Sequence, residues 1–434
     1  MSDLPEAAGF DLFDDDDEEH RTVVDTSFWN QPEIPDYPAV AYLGPYEILG
    51  LIARGGMAEV YLAREWDDSG KARYLVVKRV LPEMEHNPEL LGMFLEEGRV
   101  AVRLYHPNVC HVYECGELDG VTFMALEWVY GPSLQEVVKR ADERGGCIPW
   151  PVAVEIVSQV AAALHYVHHA KGVGGKPLNI VHRDVSPHNV MMSWSGGVKL
   201  LDFGIAKTSH DATSGGQLVG KYGYMSPEQA QSMRVDPRSD VFALGIVLYE
   251  ALTGEELYDR PTLLDTLSAI VREPTPSLRA ERPELPETLE AIVQRALAKD
   301  PAARFQSAGE LRAALKGVLR AKNQIVTEQR VALFLEGLFD EGDKIPLKGT
   351  TRKLTGSFQA ISDDGAAAVV DEQVTFQSFD HASSRPPPGP AASEARPARR
   401  GTPIPAPLLW VGLGVLALAM AGVGATVALW VLSP

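Results

Sequence analysis

The chain has 434 residues and a formal net charge of −19, and this length suits one large or two modest domains with extensions. A hydrophobic fraction of 45%, with 8% aromatic residues, supports a sizeable core. The acidic balance argues against nucleic acid as the main partner, because binding a phosphate backbone needs concentrated lysine and arginine. The three cysteines, Cys110, Cys115 and Cys147, include no CxxC pair, so neither a zinc site nor a disulfide framework is expected.

Residues 1–40 form the first segment. They hold twelve acidic side chains, including the run "DDDDEEH", against one arginine. Such a stretch cannot bury enough apolar surface to fold alone, so we predict a disordered acidic arm. The rest of the chain is therefore much closer to neutral than the total charge suggests.

Strand-like runs begin at about Tyr46. The runs "YEILGLIARGGMAEVYLAR" and "RYLVVKRVL" are β-branched and bounded by turns, and two similar runs lie near "CHVYECGEL" and "VTFMALEWV". Between the two pairs, "PELLGMFLEEGRVAVRLYHP" has a helical pattern that proline closes. From Ser133 onward the chain is mainly helical, with "PVAVEIVSQVAAALHYVHHA" the clearest amphipathic example. A small β-rich half thus precedes a larger α-rich half, which predicts an α+β fold.

The C-terminal part changes in composition twice. A helical extension over residues 319–344 ends with the amphipathic pattern "VTEQRVALFLEGLFDEGDK", and residues 345–405, rich in Pro, Ala, Ser and Thr, indicate a flexible linker. Residues 407–432 carry no charge and are long enough to cross a bilayer, with Trp410 and Trp430 near the two ends. They predict one C-terminal transmembrane helix, and a buried globular helix is the alternative.

The charge around this apolar segment predicts its orientation. Three arginines precede it: Arg396, Arg399 and Arg400. Only Ser433 and Pro434 follow it in the sequence. The positive-inside rule therefore predicts a single-pass protein of the cell's inner membrane, with the large N-terminal part in the cytoplasm. Small residues four positions apart are compatible with a homodimer of this helix: Ala417, Ala421 and Ala425.

Two stretches carry the most specific chemistry: "HRDVSPHN" spans residues 182–189 and "LLDFGIAK" spans residues 200–207. Upstream of them, "IARGGMAEVYLA", "LVVKRV", "FLEEGRVAVRLYHPNV" and "FMALEWVYGPSL" follow one another in that order. In this order and spacing the motifs resemble the eukaryote-like serine/threonine protein kinases of bacteria over about residues 45–318. The resemblance implies a bilobal protein kinase fold, with a small β-rich N-lobe and a large α-rich C-lobe.

The resemblance also implies roles for the ionic residues. Asp184 would orient the substrate hydroxyl, Lys78 would hold the phosphates of ATP, and Glu97 would fix Lys78 by an ion pair. Glu96 is the rival for that pairing, and the spacing to His106 favours Glu97.

Metal and nucleotide ligands follow from the same resemblance. Asn189 and Asp202 would ligate Mg²⁺, or Mn²⁺, through hard oxygen atoms. The implied ATP-binding residues are Ile52, Ala53, Gly55, Gly56, Val60, Val76, Lys78, Leu126, Glu127, Val129 and Met191. Among them Leu126 would be the gatekeeper, and Glu127 to Val129 would be the hinge. Ala53 and Ala58 stand where the family's glycine-rich loop has its first and third glycines.

One motif departs from the family. Its catalytic loop normally reads HRDxKxxN, yet Ser186 replaces the lysine, and Lys221 in "GKYGYMSPE" stands where a threonine is usual. We hypothesise that Lys221 restores the positive charge missing at Ser186, which makes both residues part of the catalytic set. The alternative is that Lys221 points to solvent and that Ser186 is a loss.

Other motif residues are expected to hold or regulate the large lobe. Glu228 of "YMSPEQ" is expected to pair with Arg304, and Asp240 is expected to brace the backbone of the catalytic loop. Arg183 beside Asp184 indicates control by phosphorylation of the loop that follows. The candidate acceptors are Thr208, Ser209, Thr213 and Ser214.

The function that the sequence predicts is a membrane-tethered serine/threonine kinase, which transfers the γ-phosphoryl group of Mg-ATP to cytoplasmic proteins and to itself. A pseudokinase scaffold is the main alternative, motivated by Ala53, Ala58, Ser186 and Lys221. A third interpretation makes the kinase fold a passive adaptor for the membrane anchor and the acidic arm. Tyrosine specificity stays open, because the lysine that usually marks serine/threonine kinases is the residue that Ser186 replaces.

Overall fold

The computed structural model of the protein describes residues 37–202, 219–345, 347, 359–361 and 367–369. All of them belong to the first of the two units into which the chain divides, residues 1–378. Several sequence predictions lie outside the described residues: the acidic arm up to residue 36, most of the linker, the transmembrane segment 407–432, and the candidate phosphorylation sites Thr208, Ser209, Thr213 and Ser214.

An antiparallel sheet forms the N-terminal lobe. Its first six strands are β1 (Ala41–Leu43), β2 (Tyr46–Arg54), β3 (Ala58–Trp66), β4 (Ala72–Val80), β5 (Val112–Leu118) and β6 (Val121–Glu127). They lie in the spatial order β1-β2-β3-β4-β6-β5. The β-branched and aromatic residues of these runs suit a pleated surface, and the side chains of Tyr61, Leu75 and Val77 are fully buried on one face. The opposite face of the sheet lines the cleft between the lobes.

Helix α1 (Pro88–Ala101) packs against β5 and β6. It begins at Asn87, whose side-chain oxygen accepts hydrogen bonds from the backbone N–H groups of Glu89 and Leu90. Gly98 permits the close approach to β5, because a Cβ atom at this position would lie 2.1 Å from the Cys115 Sγ atom. The contact fixes which side of α1 faces the sheet.

Helices make up most of the C-terminal lobe. They are α2 (Leu134–Glu143), α3 (Trp150–His168), α4 (Pro227–Ala230), α5 (Pro237–Thr253), α6 (Leu263–Arg272), α7 (Leu278–Glu281), α8 (Glu287–Ala296), α9 (Ala308–Ala321) and α10 (Glu328–Leu338). A small hairpin joins them, formed by β7 (Val190–Met192) and β8 (Val198–Leu200). Helix α5 is buried on all sides from Ser239 to Leu252, as expected for an apolar helix in the centre of a core. Its two acidic residues, Asp240 and Glu250, therefore lie inside the lobe.

Helix α3 is the one helix within the described ranges whose length and apolar composition would permit a membrane crossing. Of its most apolar window, 72% is buried inside the protein. This burial is typical of a core helix in a globular domain, and it matches the helix that the sequence predicts from "PVAVEIVSQVAAALHYVHHA".

The C-terminal extension folds onto the large lobe. Helix α10 begins at Thr327, whose side chain accepts a hydrogen bond from the Arg330 N–H group, and it buries Val331, Leu335 and Leu338. A short 3₁₀ helix, Glu341–Lys344, follows it. The amphipathic pattern at the end of the extension is thus realised as a packed helix.

Two short strands extend the sheet within the residues that the sequence predicts as a linker. β9 (Gln359–Ile361) pairs antiparallel with β1, and β10 (Ala367–Val369) pairs antiparallel with β9. The structure differs here from the predicted flexible linker over residues 345–405. Edge strand β1 presents unpaired backbone N–H and C=O groups, and an extended segment of almost any composition can satisfy them.

Candidate active site

A cleft of about 950 Å³ lies between the sheet and the helical lobe. This volume is in the range of sites for small molecules. Most of the predicted ATP-binding residues line it: Ile52, Ala53, Val60, Val76, Lys78, Leu126, Glu127, Val129 and Met191. Gly55 and Gly56, in the turn between β2 and β3, are outside its lining.

Strand pairing explains why these side chains meet. β3 places Val60 opposite Lys78 of β4, and β4 places Val76 opposite Leu126 of β6. Since side chains alternate between the two faces of a strand, Val76 and Lys78 lie on the same face. Three neighbouring strands therefore contribute to one wall of the cleft.

The two alanines of the glycine-rich loop lie in strands. Gly55 closes the β2–β3 turn, because its N–H group donates to the Ala58 carbonyl at 2.8 Å. Ala53 pairs with Val60, and Ala58 pairs with Val80. Neither alanine has a positive φ angle, so their Cβ atoms bring no backbone strain. Alanine is therefore structurally compatible with both positions.

The Lys78 ammonium group lies between two carboxylates. Its Nζ atom is 2.7 Å from Asp202 Oδ1 and 3.8 Å from Glu97 Oε1. Burial by itself lowers the pKa of Lys78, but the Asp202 and Glu97 carboxylates outweigh that effect and raise the pKa above its ordinary value. Lys78 is thus a stable cation at the inner end of the cleft.

The two neighbouring glutamates of α1 point in different directions. The Glu97 side chain is only 16% exposed and faces Lys78, whereas the Glu96 side chain is 62% exposed and lies 3.6 Å from Arg99. The structure therefore brings Glu97, and not its rival Glu96, to Lys78.

The stretch around Asp184 is held by a network of short contacts. The Asn189 Nδ2 atom donates to the Asp184 carbonyl at 2.8 Å and to Asp184 Oδ2 at 3.1 Å. His182 Nδ1 accepts from the Asp184 N–H group at 3.3 Å, and His182 Nε2 contacts the Leu201 carbonyl at 2.9 Å. Burial lowers the pKa of His182 although nearby carboxylates oppose it, so a neutral ring with one donor and one acceptor fits both contacts. The loop that carries Asp184 is thereby tied to the residue before Asp202.

Asp240 braces the backbone of this loop, as the sequence predicts. Its carboxylate accepts hydrogen bonds from the His182 and Arg183 N–H groups, each at 2.8 Å, and contacts His168 Nε2 at 2.7 Å. Burial raises the pKa of Asp240, but the hydrogen bond and charge of His168 outweigh it and lower the pKa. Arg183 has a φ angle of +64°, a strained conformation for a residue with a side chain. Asp240 holds it there.

The structure describes the side chain of Ser186 but not that of Lys221. Ser186 is buried, and its Oγ atom has no hydrogen-bond partner within the described part of the chain. Lys221 lies in the short helix 219–224, and its side chain is outside the described atoms. The compensation that we hypothesise between the two residues therefore stays a prediction. Nearby, Gln229 donates to the Arg183 carbonyl at 3.0 Å, which links the segment after Lys221 to the catalytic loop.

The predicted pairing of Glu228 with Arg304 is confirmed. Both Arg304 terminal nitrogens donate to the Glu228 carboxylate, at 2.8 and 2.9 Å, and Ser239 donates to the same carboxylate at 2.6 Å. Burial raises the pKa of Glu228, but these hydrogen bonds outweigh it and lower the pKa. The pair fixes α4 to the residues that follow α8.

Sequence reasoning missed a second ion pair, which lies behind the wall of the cleft. Lys199 of β8 lies 2.8 Å from Glu127 at the hinge, and both side chains are largely buried. Glu127 also accepts from the His111 N–H group at 3.1 Å. The signal was a lysine within the apolar run "VKLLDF", a position where an unpaired charge would be costly. The pair connects the predicted hinge to the strand that leads to Asp202.

Sequence reasoning also missed the part of the C-terminal extension that reaches the cleft. Three of its residues, and the residue that follows it, line the cavity: Phe339, Asp343, Lys344 and then Ile345. Nothing local in the sequence indicates this contact, because it joins residues far apart in the chain.

Comparison with known proteins gives a family match and several relatives. Residues 46–314 match the family model described as "Protein kinase domain". The chain is 36% identical over 306 residues to the tyrosine-protein kinase MasK of Myxococcus xanthus, covering 70% of this chain and 47% of that protein. It is 37% identical over 279 residues to the serine/threonine-protein kinase PknB of Mycobacterium leprae, covering 62% of this chain and 42% of that protein. The chain thus spans less than half the length of these curated relatives.

A solved structure is similar to the described lobes. The Mycobacterium tuberculosis PknI kinase domain aligns with a TM-score of 0.50 and 29% sequence identity, over 65% of this chain and 99% of that chain. The alignment supports the predicted arrangement of a β-rich N-lobe and a helical C-lobe.

Proposed function

The chain belongs to the protein kinase family, and on that premise we propose that it transfers the γ-phosphoryl group of Mg-ATP to serine and threonine hydroxyls of proteins, including its own. The observation that carries this proposal is the ionic arrangement at the inner end of the cleft. There Lys78 lies 2.7 Å from Asp202 and 3.8 Å from Glu97. Charged groups gathered in a cleft, with a perturbed pKa at Lys78, are typical of functional sites.

In this proposal each ionic residue has one task. Lys78, kept protonated by two carboxylates, binds the phosphates of the nucleotide, and Glu97 positions Lys78. The Asp184 carboxylate accepts or orients the proton of the attacking hydroxyl, and Asn189 fixes that carboxylate through its 3.1 Å hydrogen bond.

The residues present fit a magnesium ion that enters with the nucleotide. Asn189 and Asp202 offer amide and carboxylate oxygens, which are the hard ligands that magnesium prefers. Within the described residues, no cluster of three or more His, Cys, Asp or Glu side chains suits a metal on its own. Phosphate and water oxygens would therefore complete the coordination. When bound, the ion neutralises charge that develops on the phosphates.

A charge-removing substitution tests the proposed activity. We expect Lys78→Met to reduce phosphate transfer from Mg-ATP to casein by about 100-fold or more, because it removes the cation that stabilises phosphate charge. Lys71→Met is the matched control, since Lys71 lies exposed in the turn before the same strand. Equal transfer rates for the Lys78→Met variant and the wild type would contradict the proposal.

The departure at Ser186 is proposed to be compensated by Lys221. The buried Ser186 hydroxyl, without a partner in the described part of the chain, marks a position where the family's lysine would bring a charge. We expect Lys221→Ala to lower transfer, and Ser186→Lys to restore it in that background. Lys176→Ala, at an exposed lysine, is the control. Unchanged transfer in the Lys221→Ala variant refutes the compensation.

Specificity for tyrosine is a second candidate. It is favoured by Ser186 at the position of the usual serine/threonine marker and by the relative named a tyrosine-protein kinase. The relatives named serine/threonine kinases favour the first candidate. Phosphoamino-acid analysis of the autophosphorylated full chain separates them: phosphoserine and phosphothreonine support the proposal, and phosphotyrosine alone overturns it.

We also propose that residues 407–432 cross the inner membrane and leave the kinase lobes in the cytoplasm. The support is the chargeless length of this segment and the three arginines before it. The wild-type chain should sediment with membranes and resist extraction by carbonate. Leu416→Arg should release it, because a charge at the bilayer centre is costly, whereas Ser433→Arg should not. Soluble wild-type protein would contradict the anchor.

A further inference from the structure

The segment after α10 packs on the large lobe beside the cleft. We call residues Phe339–Ile345 together with Leu347 the strap. The Phe339 ring contacts the Trp194 ring edge to face, with centroids 5.4 Å apart, and the Arg140 guanidinium lies 5.3 Å from the centre of the Phe339 ring. Arg140 also pairs with Asp343 at 2.8 Å. Aromatic packing and an ion pair thus fix the first half of the strap to α2 and to the β7–β8 turn.

The middle of the strap binds the hinge. The Tyr130 hydroxyl donates to the Lys344 carbonyl at 2.5 Å, and Tyr130 follows hinge residue Val129 directly. The Lys344 ammonium lies 5.7 Å from the centre of the Trp194 ring. Lys344 and Ile345 both line the cleft, so the strap forms part of the wall around the proposed nucleotide site.

The end of the strap reaches the small lobe. Leu347 packs on Gly50 of β2: a Cβ atom at Gly50 would lie 3.0 Å from Leu347 Cδ1, and the three nearest atoms would all belong to Leu347. Gly50 has no positive φ angle, so its backbone does not itself require glycine. The strap therefore runs from the large lobe, past the hinge, to the small lobe.

A segment that contacts both lobes responds to their relative position. A nucleotide in the cleft would also contact both lobes, since β2, β3 and β4 form one wall and Met191 lies on the other. If the strap and the nucleotide both favour the same closed arrangement of the lobes, each stabilises the binding of the other by the same free energy. An extension that only stabilised the large lobe would leave nucleotide affinity unaffected.

We propose that the strap is a positioning element for the nucleotide, which closes the outer side of the cleft and binds cooperatively with Mg-ATP. The inference rests on the proposed function, because it takes the cleft to be the ATP site. The residues of the strap affect the nucleotide through the hinge and through the relative position of the lobes, and they do not take part in phosphate transfer. Strap variants should therefore raise the KM for ATP and leave kcat nearly unchanged.

The test uses full-length variants that touch the strap from different sides. Leu347→Ala removes its contact with β2, Gly50→Ala pushes Leu347 away without altering the strap, and Tyr130→Phe removes the hydrogen bond to the Lys344 carbonyl. Each should weaken Mg-ATP binding, measured by calorimetry, by about 3- to 10-fold, the effect of losing one contact or hydrogen bond. The Leu347→Ala and Gly50→Ala changes should not add, because both break the same contact.

Matched control variants distinguish a loss of Mg-ATP binding caused by the strap from one caused by general destabilisation of the fold. Gly116→Ala introduces the same methyl group in β5 of the same sheet, where a Cβ atom would have no neighbour within 4 Å. Leu333→Ala truncates a 60% exposed leucine of α10. Both should bind Mg-ATP like the wild type. In hydrogen exchange, Mg-ATP should slow the backbone amides of Phe339 to Ile345 in the wild type.

The outcomes distinguish the two proposals. If the wild type binds Mg-ATP and the strap variants bind it equally well, with no change in strap exchange, the strap inference is overturned and the proposed function stands. If the folded wild type binds no Mg-ATP, both are overturned. Weaker binding in the strap variants, with both controls at the wild-type value, supports the inference.

Discussion

Asp240→Asn should lower both the stability of the protein and its activity. The carboxylate accepts hydrogen bonds from the backbone of His182 and Arg183 and also contacts His168. Asparagine offers one acceptor oxygen instead of two, so at least one N–H group of the loop then faces an NH₂ donor. A hydrogen bond to a charged group contributes about 1.5 to 3 kcal/mol, and its loss leaves a buried donor unsatisfied.

The strained backbone adds to the effect. Arg183, at φ +64°, keeps its conformation only while the surrounding contacts determine it. We therefore expect the free energy of unfolding to fall by about 3 kcal/mol and the melting temperature by roughly 5 to 10 °C. Relaxation of the loop should also move Asp184, and a misplacement near 1 Å lowers kcat by roughly 100-fold.

Thermal unfolding and steady-state phosphate transfer measure these two effects on the full chain. Asp142→Asn, at an exposed position of α2, is the control for the same chemical change. The Asp240→Asn variant should lose both stability and kcat, with less effect on the KM for ATP. A melting temperature and a kcat equal to those of the Asp142→Asn control would refute the account of the catalytic loop.

Two further predictions concern buried charges of the large lobe. Burial raises the pKa of Glu250 to about 7 from 4.5 although the Tyr224 hydroxyl donates to it, so the folded state keeps a proton that the unfolded state loses. As the pH rises from about 4.5 to 7, the free energy of unfolding should therefore fall by on the order of 3 kcal/mol. Urea unfolding at several pH values measures this profile, and Glu250→Gln should flatten it. Parallel profiles for the variant and the wild type would contradict the assignment. Arg304→Met should cost about 3 to 5 kcal/mol, because it leaves Glu228 charged and unpaired in the core. Urea unfolding should show no comparable loss for Arg320→Met at an exposed position, and equal losses would refute the role of the ion pair.

Much of the candidate site could be predicted from the sequence because its residues lie in short motifs whose order constrains them. Lys78 and Leu126 are placed by strand periodicity, and a two-residue alternation is enough to put Val76 and Lys78 on the same side. The spacing to His106 favours Glu97 over Glu96, and the structure agrees with that choice. Both lie on one turn of α1, and the close packing of that helix on β5 gives the physical reason why Glu97 faces the cleft.

The parts that could not be predicted depend on contacts between distant residues. The Lys199 and Glu127 pair joins positions 72 residues apart, and the hydrogen bond from Tyr130 to the Lys344 carbonyl joins positions 214 apart. Patterning along the chain gives a helix at the end of the extension, but it carries no information on which surface that helix covers. The two short strands β9 and β10, which extend the sheet beyond β1, were missed for a similar reason, because edge pairing depends on backbone groups and not on composition.

The most direct measurement of the central claim is phosphate transfer from labelled ATP with magnesium by the full chain and by Asp184→Asn. The substitution keeps the size of the side chain and the 2.8 Å hydrogen bond from Asn189 to the Asp184 carbonyl, so the variant should fold and still bind Mg-ATP. We predict transfer by the wild type and a loss of at least about 100-fold in the variant, because no carboxylate then orients the substrate hydroxyl. Equal transfer by both proteins, or no transfer by a folded wild type that binds Mg-ATP, would contradict the claim that this cleft is a working kinase site.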